Sequence, residues 1–185
     1  MKALLMMKPF TGENMGIIAQ TGGQSVLVSD AFGSEELKVP ALTEKTHERL
    51  RPIVTVVGGS YKNPLDVSGS LTSVERATEM LNGLHDDPNT DIIVMESSIG
   101  FIQRRLEKQG QGLDTLIEGL KAFQESSTKP FGVIATWNQN EGELADFRKK
   151  VSDAGIAVFP TFQAGAGAIR KVRDYYQKKE SLGTK

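Results

Sequence analysis

Short apolar runs alternate with segments of helical period along most of this chain, and that alternation limits the fold more than any other feature. Residues 15–20 (MGIIAQ), 91–95 (DIIVM), 131–136 and 156–159 are runs of four to six residues rich in Ile, Val and Phe. Each suits a strand buried on both faces. Residues 37–40 form a further short apolar run, expected as the second strand. Between the runs lie helical stripes. Val74, Ala77, Leu81 and Leu84 share one face, with Ser73 as the cap, and Leu113, Leu116, Ile117, Leu120 and Phe123 share another. Residues 25–32, a segment with the N-cap Thr43 followed by Thr46, Leu50 and Ile53, residues 143–154 and residues 162–176 complete the helical set. Residues 53–57 are ambiguous between a strand and the tail of the preceding helix, and residues 58–69, rich in Gly, Ser, Asn and Pro, read as a loop.

Strands that alternate with helices argue for a parallel sheet covered on both faces. The expected fold is therefore α/β: a three-layer, flavodoxin-like α/β/α domain with a five-stranded parallel sheet in the order 2-1-3-4-5. Residues 13–177 form that domain, residues 1–12 an entering linker or extension, and residues 178–185 a polar tail. No internal repeat and no second domain is evident.

Composition narrows the function classes. Lys plus Arg number 22 and Asp plus Glu 23, so charge offers no reason to expect nucleic acid or an anionic membrane. No cysteine is present, which excludes disulfides, thiolate metal sites and a Cys nucleophile, and fits a reducing compartment. With no apolar run near the roughly 20 residues of a membrane span, the expected location is cytoplasmic.

Chemistry concentrates at two places. The first strand-to-helix junction is Gln20-Thr21-Gly22-Gly23-Gln24-Ser25. A helix starting there directs unpaired N–H groups and its positive dipole end at whatever lies in front, and glycines let an anion approach. Thr21 and Ser25 add hydroxyls. Thr21, Gly22, Gly23, Gln24 and Ser25 are thus a candidate phosphate site, with packing alone as the competing explanation. The junction matches neither the Walker A spacing nor G-x-G-x-x-G. A flavin mononucleotide loop would use the same donors, with Trp137 as a ring partner; a domain contact is the other role for that tryptophan. The second place is the loop carrying Gly59, Ser60, Asn63, Pro64 and Asp66. It would border the first at the carboxyl ends of the strands, where ligands enter open α/β sheets. His47 and His85 are lone histidines suited to surface or capping roles, the acidic group Asp86, Asp87 and Asp91 to turn chemistry, and Arg104, Arg105 and Lys108 to a solvated face. No metal site is expected.

Taken together, GIIAQTGGQSVLVSDAF, VPALTEKTHERLRPI, GGSYKNPLDVSG, LNGLHDDPNTDIIVM, KPFGVIATW and GIAVFPTFQAGAGAIRKVRDYY resemble the NDP-forming acyl-CoA synthetases of the succinyl-CoA ligase type. The chain is similar to the flavodoxin-like domain equivalent to the carboxy-terminal domain of the succinyl-CoA ligase β subunit. The resemblance implies a ligase that makes acyl-CoA from a carboxylate, CoA and ATP or GTP with Mg, through a phosphohistidine on a partner domain. Thr21, Gly22, Gly23, Gln24 and Ser25 would start a helix that stabilises the phosphoryl group, and Asn63, Pro64 and Asp66 match the bordering loop. Nothing here matches the family's Ser-His-Thr-Gly-type segment, its ATP-grasp domain or its CoA-binding domain. The resemblance therefore implies no catalytic residue in this chain, no cofactor held by it alone, and partners that carry those parts. An excised piece and a naturally split subunit both fit, as does a non-catalytic regulatory or interaction module. Residues 95–112 depart most from the family and have no assigned role.

Overall fold

The computed structural model describes residues 2–55, 57–136 and 140–183. Five strands, β1 (Met15–Ala19), β2 (Leu65–Asp66), β3 (Ile92–Glu96), β4 (Phe131–Ile134) and β5 (Ala157–Phe159), form one parallel sheet in the order β2-β1-β3-β4-β5. The fold class and strand order match expectation, but the second strand does not. Residues 37–40 supply only one isolated bridge, Lys38 to Asn14, and β2 comes instead from the segment read as a loop. Leu65 pairs with Ile18 and Asp66 with Ala19, so the short edge strand meets only the carboxyl end of β1.

Strand alternation builds two cores. Ile18, Leu65, Ile93, Met95, Phe131 and Val133 face one side, where α3 (Glu44–Leu50), α4 (Val74–Asp86), α5 (Ile99–Glu107), α6 (Leu113–Ser126) and α7 (Glu141–Asp153) pack. Met15, Ile17, Ile92, Val94 and Ile134 face the other, under α1 (Lys2–Met6), α2 (Gly22–Gly33) and α8 (Phe162–Ser181). Because both sides are covered, every second residue is apolar on each face, and the strands read as continuous apolar runs. Burying each Ile, Leu or Phe contributes roughly 1.5–3 kcal/mol.

Five caps are explicit among the described residues. Thr21, Thr43, Ser73 and Thr161 are extended and accept from the backbone N–H three residues on, and Asn140, also extended, caps α7 by accepting from Gly142 N and Glu143 N. Residues 51–54 turn off the end of α3 rather than forming a strand: Ile53 and Val54 donate to the Leu50 carbonyl, and Val54 packs into the core. Val56, in that ambiguous stretch, lies outside the described residues. Helix α8 continues to Ser181, beyond the expected end at 176. Within residues 1–12, α1 lies against α8 and the edge strand β5, and Ala3, Met7 and Phe10 are buried. Residues 99–107 of the segment without an assigned role form α5, with Ile99, Ile102 and Leu106 buried. No helix among the described residues is long and apolar enough to cross a membrane.

Candidate functional site at the carboxyl edge of the sheet

Parallel strands end together, so the β1–α2, β3–α5 and β4–α7 connections meet at one edge. Helix α2 starts there. Thr21 caps it by accepting from Gln24 N at 3.3 Å, and Ser25 N bonds the Thr21 carbonyl at 2.9 Å. The N–H groups of Gly22 and Gly23, both exposed, have no partner among the described residues. This is the arrangement in which a helix N-terminus offers free donors to an anion.

The flanking side chains are more committed than the sequence implies. The Thr21 hydroxyl donates to Gln24 Oε1 at 3.1 Å, and Ser25 Oγ turns back to the Thr21 carbonyl at 3.2 Å. Gln24 Nε2 reaches inward to Glu96 Oε1 at 3.1 Å and Ser98 Oγ at 2.6 Å. Of the five residues at this junction, Gly22 and Gly23 present unused donors in the first helical turn among the described residues, and they do so through the backbone.

Glu96 is the residue the sequence reading missed. It ends β3 with no solvent exposure and accepts four hydrogen bonds: Gln20 N at 3.0 Å on one oxygen, and Gln24 Nε2, Ser98 Oγ and Thr136 Oγ1 on the other. Burial pushes its carboxyl above the usual range, and the bonds from Ser98, Gln20 and Thr136 counter this only in part. Gln20 is buried too; its Nε2 bonds the Glu96 carbonyl, while its Oε1 and the Ser97 hydroxyl have no partner among the described residues. Arg148 of α7 closes the same edge by donating to the carbonyls of Ala135, Thr136 and Pro160. A glutamate directly after the apolar run DIIVM, followed by two serines, was the available signal.

The second expected group divides. Asp66 reaches the site: a Cβ at Gly22 would lie 3.0 Å from its Oδ2, a contact tight enough that the carboxylate would have to give way. The other Asp66 oxygen accepts from Ser68 N and Oγ. Asn63 lies lower, at the middle of β1, where Oδ1 accepts from Ile17 N at 3.0 Å and Nδ2 donates to the carbonyls of Met15 and Pro40. Ser60 exchanges backbone bonds with Asp66, its hydroxyl accepts from Lys62 N, and Pro64 follows a cis peptide. Gly59 leads into that pairing. These residues shape the loop, and Asp66 is the member that touches the helix start.

His85 bonds Asp86 and Thr128, and His47 lies edge-on to Tyr61. Asp87, fully buried, accepts from Thr43 and Asn89; burial raises its carboxyl, but bonds from Thr46, Thr43 and Asn89 outweigh that and hold it below the ordinary value. Trp137, the expected flavin partner, lies outside the described residues. Among the described residues, no group of three or more His, Cys, Asp or Glu side chains is placed to hold a metal ion.

Comparison with known proteins places this edge in context. No family profile matches the chain. It is 33% identical over 98 residues to the alpha subunit of an ADP-forming acetate–CoA ligase II of Pyrococcus furiosus, a match covering 49% of this chain and 21% of that subunit. It is 29% identical over 92 residues to the ADP-forming acetate–CoA ligase I of Archaeoglobus fulgidus, covering 50% and 13% respectively. The matches therefore span about a fifth or less of these relatives. A solved structure from Pyrococcus horikoshii shares the fold with a TM-score of 0.76 at 21% identity, over 95% of this chain and 38% of that one. The apo dinucleotide-forming acetyl-coenzyme A synthetase 1 of Ca. Korarchaeum cryptofilum does so with a TM-score of 0.70 at 18% identity, over 96% and 38%. The chain is thus similar in sequence, over about half of its length, to ADP-forming acetate–CoA ligases, and it shares its fold with a part of larger solved chains.

Proposed function

We propose that this chain is a domain or subunit of an NDP-forming acyl-CoA synthetase, and that α2 supplies part of its phosphoryl site. The reaction joins a carboxylate to CoA with NTP cleaved to NDP and phosphate, by way of a phosphohistidine on a partner domain. The N–H groups of Gly22 and Gly23 would stabilise the phosphoryl oxygens with donors fixed in advance, which need no reorganisation as charge moves. CoA, ATP or GTP and Mg would be held by the partner domains. The observation that carries this reading is the sequence match to the acetate–CoA ligase subunit; the two free N–H groups at the carboxyl edge agree with it.

The test is reconstitution. The chain is combined with separately purified histidine-bearing and ATP-grasp domains of a relative, and acyl-CoA formation is followed. Activity should depend on the chain. Gly23→Pro, which deletes one N–H in the first helical turn, where no intrahelical bond is lost, should cut turnover about a hundredfold, as loss of one preorganised donor does. Full turnover without the chain, or with the proline variant, rejects the reading.

One observation favours a second reading, a non-catalytic module derived from the same family. The Asp66 carboxylate beside Gly22 already offers a negative charge to the start of α2. On that reading phosphate binds only after Asp66→Asn and the chain adds nothing to reconstituted turnover.

A further inference from the structure

The hydrogen bonds at the start of α2 form a directed chain rather than a set of separate contacts. The Glu96 carboxylate, buried at the end of β3, can only accept. Gln24 must therefore turn Nε2 toward it, which leaves Oε1 facing outward to Thr21. Thr21 already receives Gln24 N on its hydroxyl oxygen, so the hydroxyl proton goes to Gln24 Oε1. Ser98 fits the same direction, accepting from Gln24 and donating to Glu96. The relay begins at a fully buried carboxyl and ends at an exposed hydroxyl beside the free N–H groups of Gly22 and Gly23.

We propose that Glu96 is a positioning residue whose protonation reverses this relay and frees the Thr21 hydroxyl to bind an anion at the start of α2. The inference rests on the phosphoryl-site reading above. A proton taken from water onto the Oε1 side of Glu96 makes that atom a donor. Ser98 then accepts from Glu96 and turns its own proton to Gln24, whose carboxamide rotates by half a turn. Nε2 now donates to Thr21 Oγ, and the Thr21 proton is released outward. No bond other than the O–H of Glu96 is made. Every member is able to reverse, because a hydroxyl both donates and accepts and a carboxamide carries both functions.

The surroundings leave the switch to Glu96. The groups that bond its side chain from β1, α2, α5 and the end of β4 are the Gln20 backbone, Gln24, Ser98 and Thr136, all neutral. Charged groups on neighbouring elements are Asp66 of β2, held by Ser68 and lying beside Gly22, and Arg148 of α7, which donates to backbone carbonyls at the ends of β4 and β5. Burial raises the carboxyl of Glu96, which moves the switch toward physiological pH. The ionised state thus holds the anion site one donor short, and the protonated state completes it.

The experiment titrates sulfate, an anion that does not itself ionise over the relevant range, into labelled full-length chain and follows the Gly22 and Gly23 amides. Glu96→Gln imitates the protonated state and should bind sulfate about tenfold more tightly at pH 7, the value of one added hydrogen bond to a charged group. The gain should vanish in the Thr21→Val, Glu96→Gln double variant. Equal affinity in wild type and Glu96→Gln, with both amides responding, overturns the relay and leaves the phosphoryl reading standing. A gain that survives without the Thr21 hydroxyl overturns it as well, because simple charge repulsion then explains the effect. Silent amides in every variant count against the phosphoryl reading. The relay is then decided without ligand by the Gln24 carboxamide protons, which should shift upfield in Glu96→Gln as they leave the carboxylate; unchanged resonances refute it. If Glu96→Gln does not fold, wild-type titration replaces it: the carboxamide shift and the sulfate affinity should share one midpoint, and separate midpoints reject the coupling.

Discussion

Replacing Asn63 by alanine should be among the more damaging single changes to this fold, although the residue sits in a loop and is only half-buried. Its side chain does the work of a strand residue along the middle of β1. Oδ1 receives the Ile17 N–H, and Nδ2 serves the carbonyls of Met15 and Pro40. Ile17 has no solvent exposure, so water cannot replace the lost partner there. A buried polar group left unpaired costs roughly 1–3 kcal/mol and each hydrogen bond contributes roughly 1 kcal/mol net. Asn63→Ala should therefore destabilise by about 3 kcal/mol, which for a chain of this size corresponds to a fall in Tm of about 10 °C. Urea unfolding monitored by circular dichroism at pH 7 measures it directly. Asn63→Asp refines the test. It keeps the acceptor for Ile17 N but aims a carboxylate at two carbonyls, so the carboxyl introduced there would be raised above its unfolded value. The folded state then binds the proton more tightly, and stability should fall as pH rises through that range. A loss below about 1 kcal/mol for alanine, well under the unpaired-group cost, or an aspartate variant that gains stability with rising pH, refutes the reasoning.

Two further predictions concern packing and protonation. Because burial raises Glu96 above the usual carboxylate range, its contribution to stability is fully present below the unfolded value and is lost as pH rises through the folded one; Glu96→Gln should remove that slope from a series of urea midpoints. At the α4–α6 contact, a Cβ on Gly119 would meet Val74 Cγ1 at 2.5 Å, so Gly119→Ala should lose roughly 1–2 kcal/mol to overpacking despite its helix propensity, and adding Val74→Ala should recover most of it in a double-mutant cycle.

Much of this fold is legible in the sequence because covering a parallel sheet on both faces writes itself as apolar runs. β1, β3, β4 and β5 were visible in that way, and Thr43 and Ser73 were visible as caps before amphipathic stripes. β2 was not. It is two residues long and lies in a Gly- and Pro-rich stretch, and part of the pairing that a longer strand would give β1 comes from the side chain of Asn63. Residues 37–40 look more like a strand, yet make one bridge, and the carbonyl of Pro40 within them accepts from Asn63 Nδ2 instead of from a strand neighbour. Helix α5 was hidden for a similar reason: Ser98 precedes it without capping it and instead serves Glu96. The start of α2 was legible as glycines after a strand. The commitment of Thr21 and Gln24 to a buried glutamate was not, since periodicity locates faces but does not report which polar side chains meet across three loops.

The most direct test of the central claim is titration of inorganic phosphate into isotope-labelled chain with the backbone amides followed by NMR. The account predicts saturable shifts centred on Gly22 and Gly23, the two free donors at the start of α2, with smaller changes at Gln24 and Thr21. A folded wild-type protein whose Gly22 and Gly23 amides stay unmoved to saturating phosphate would contradict it.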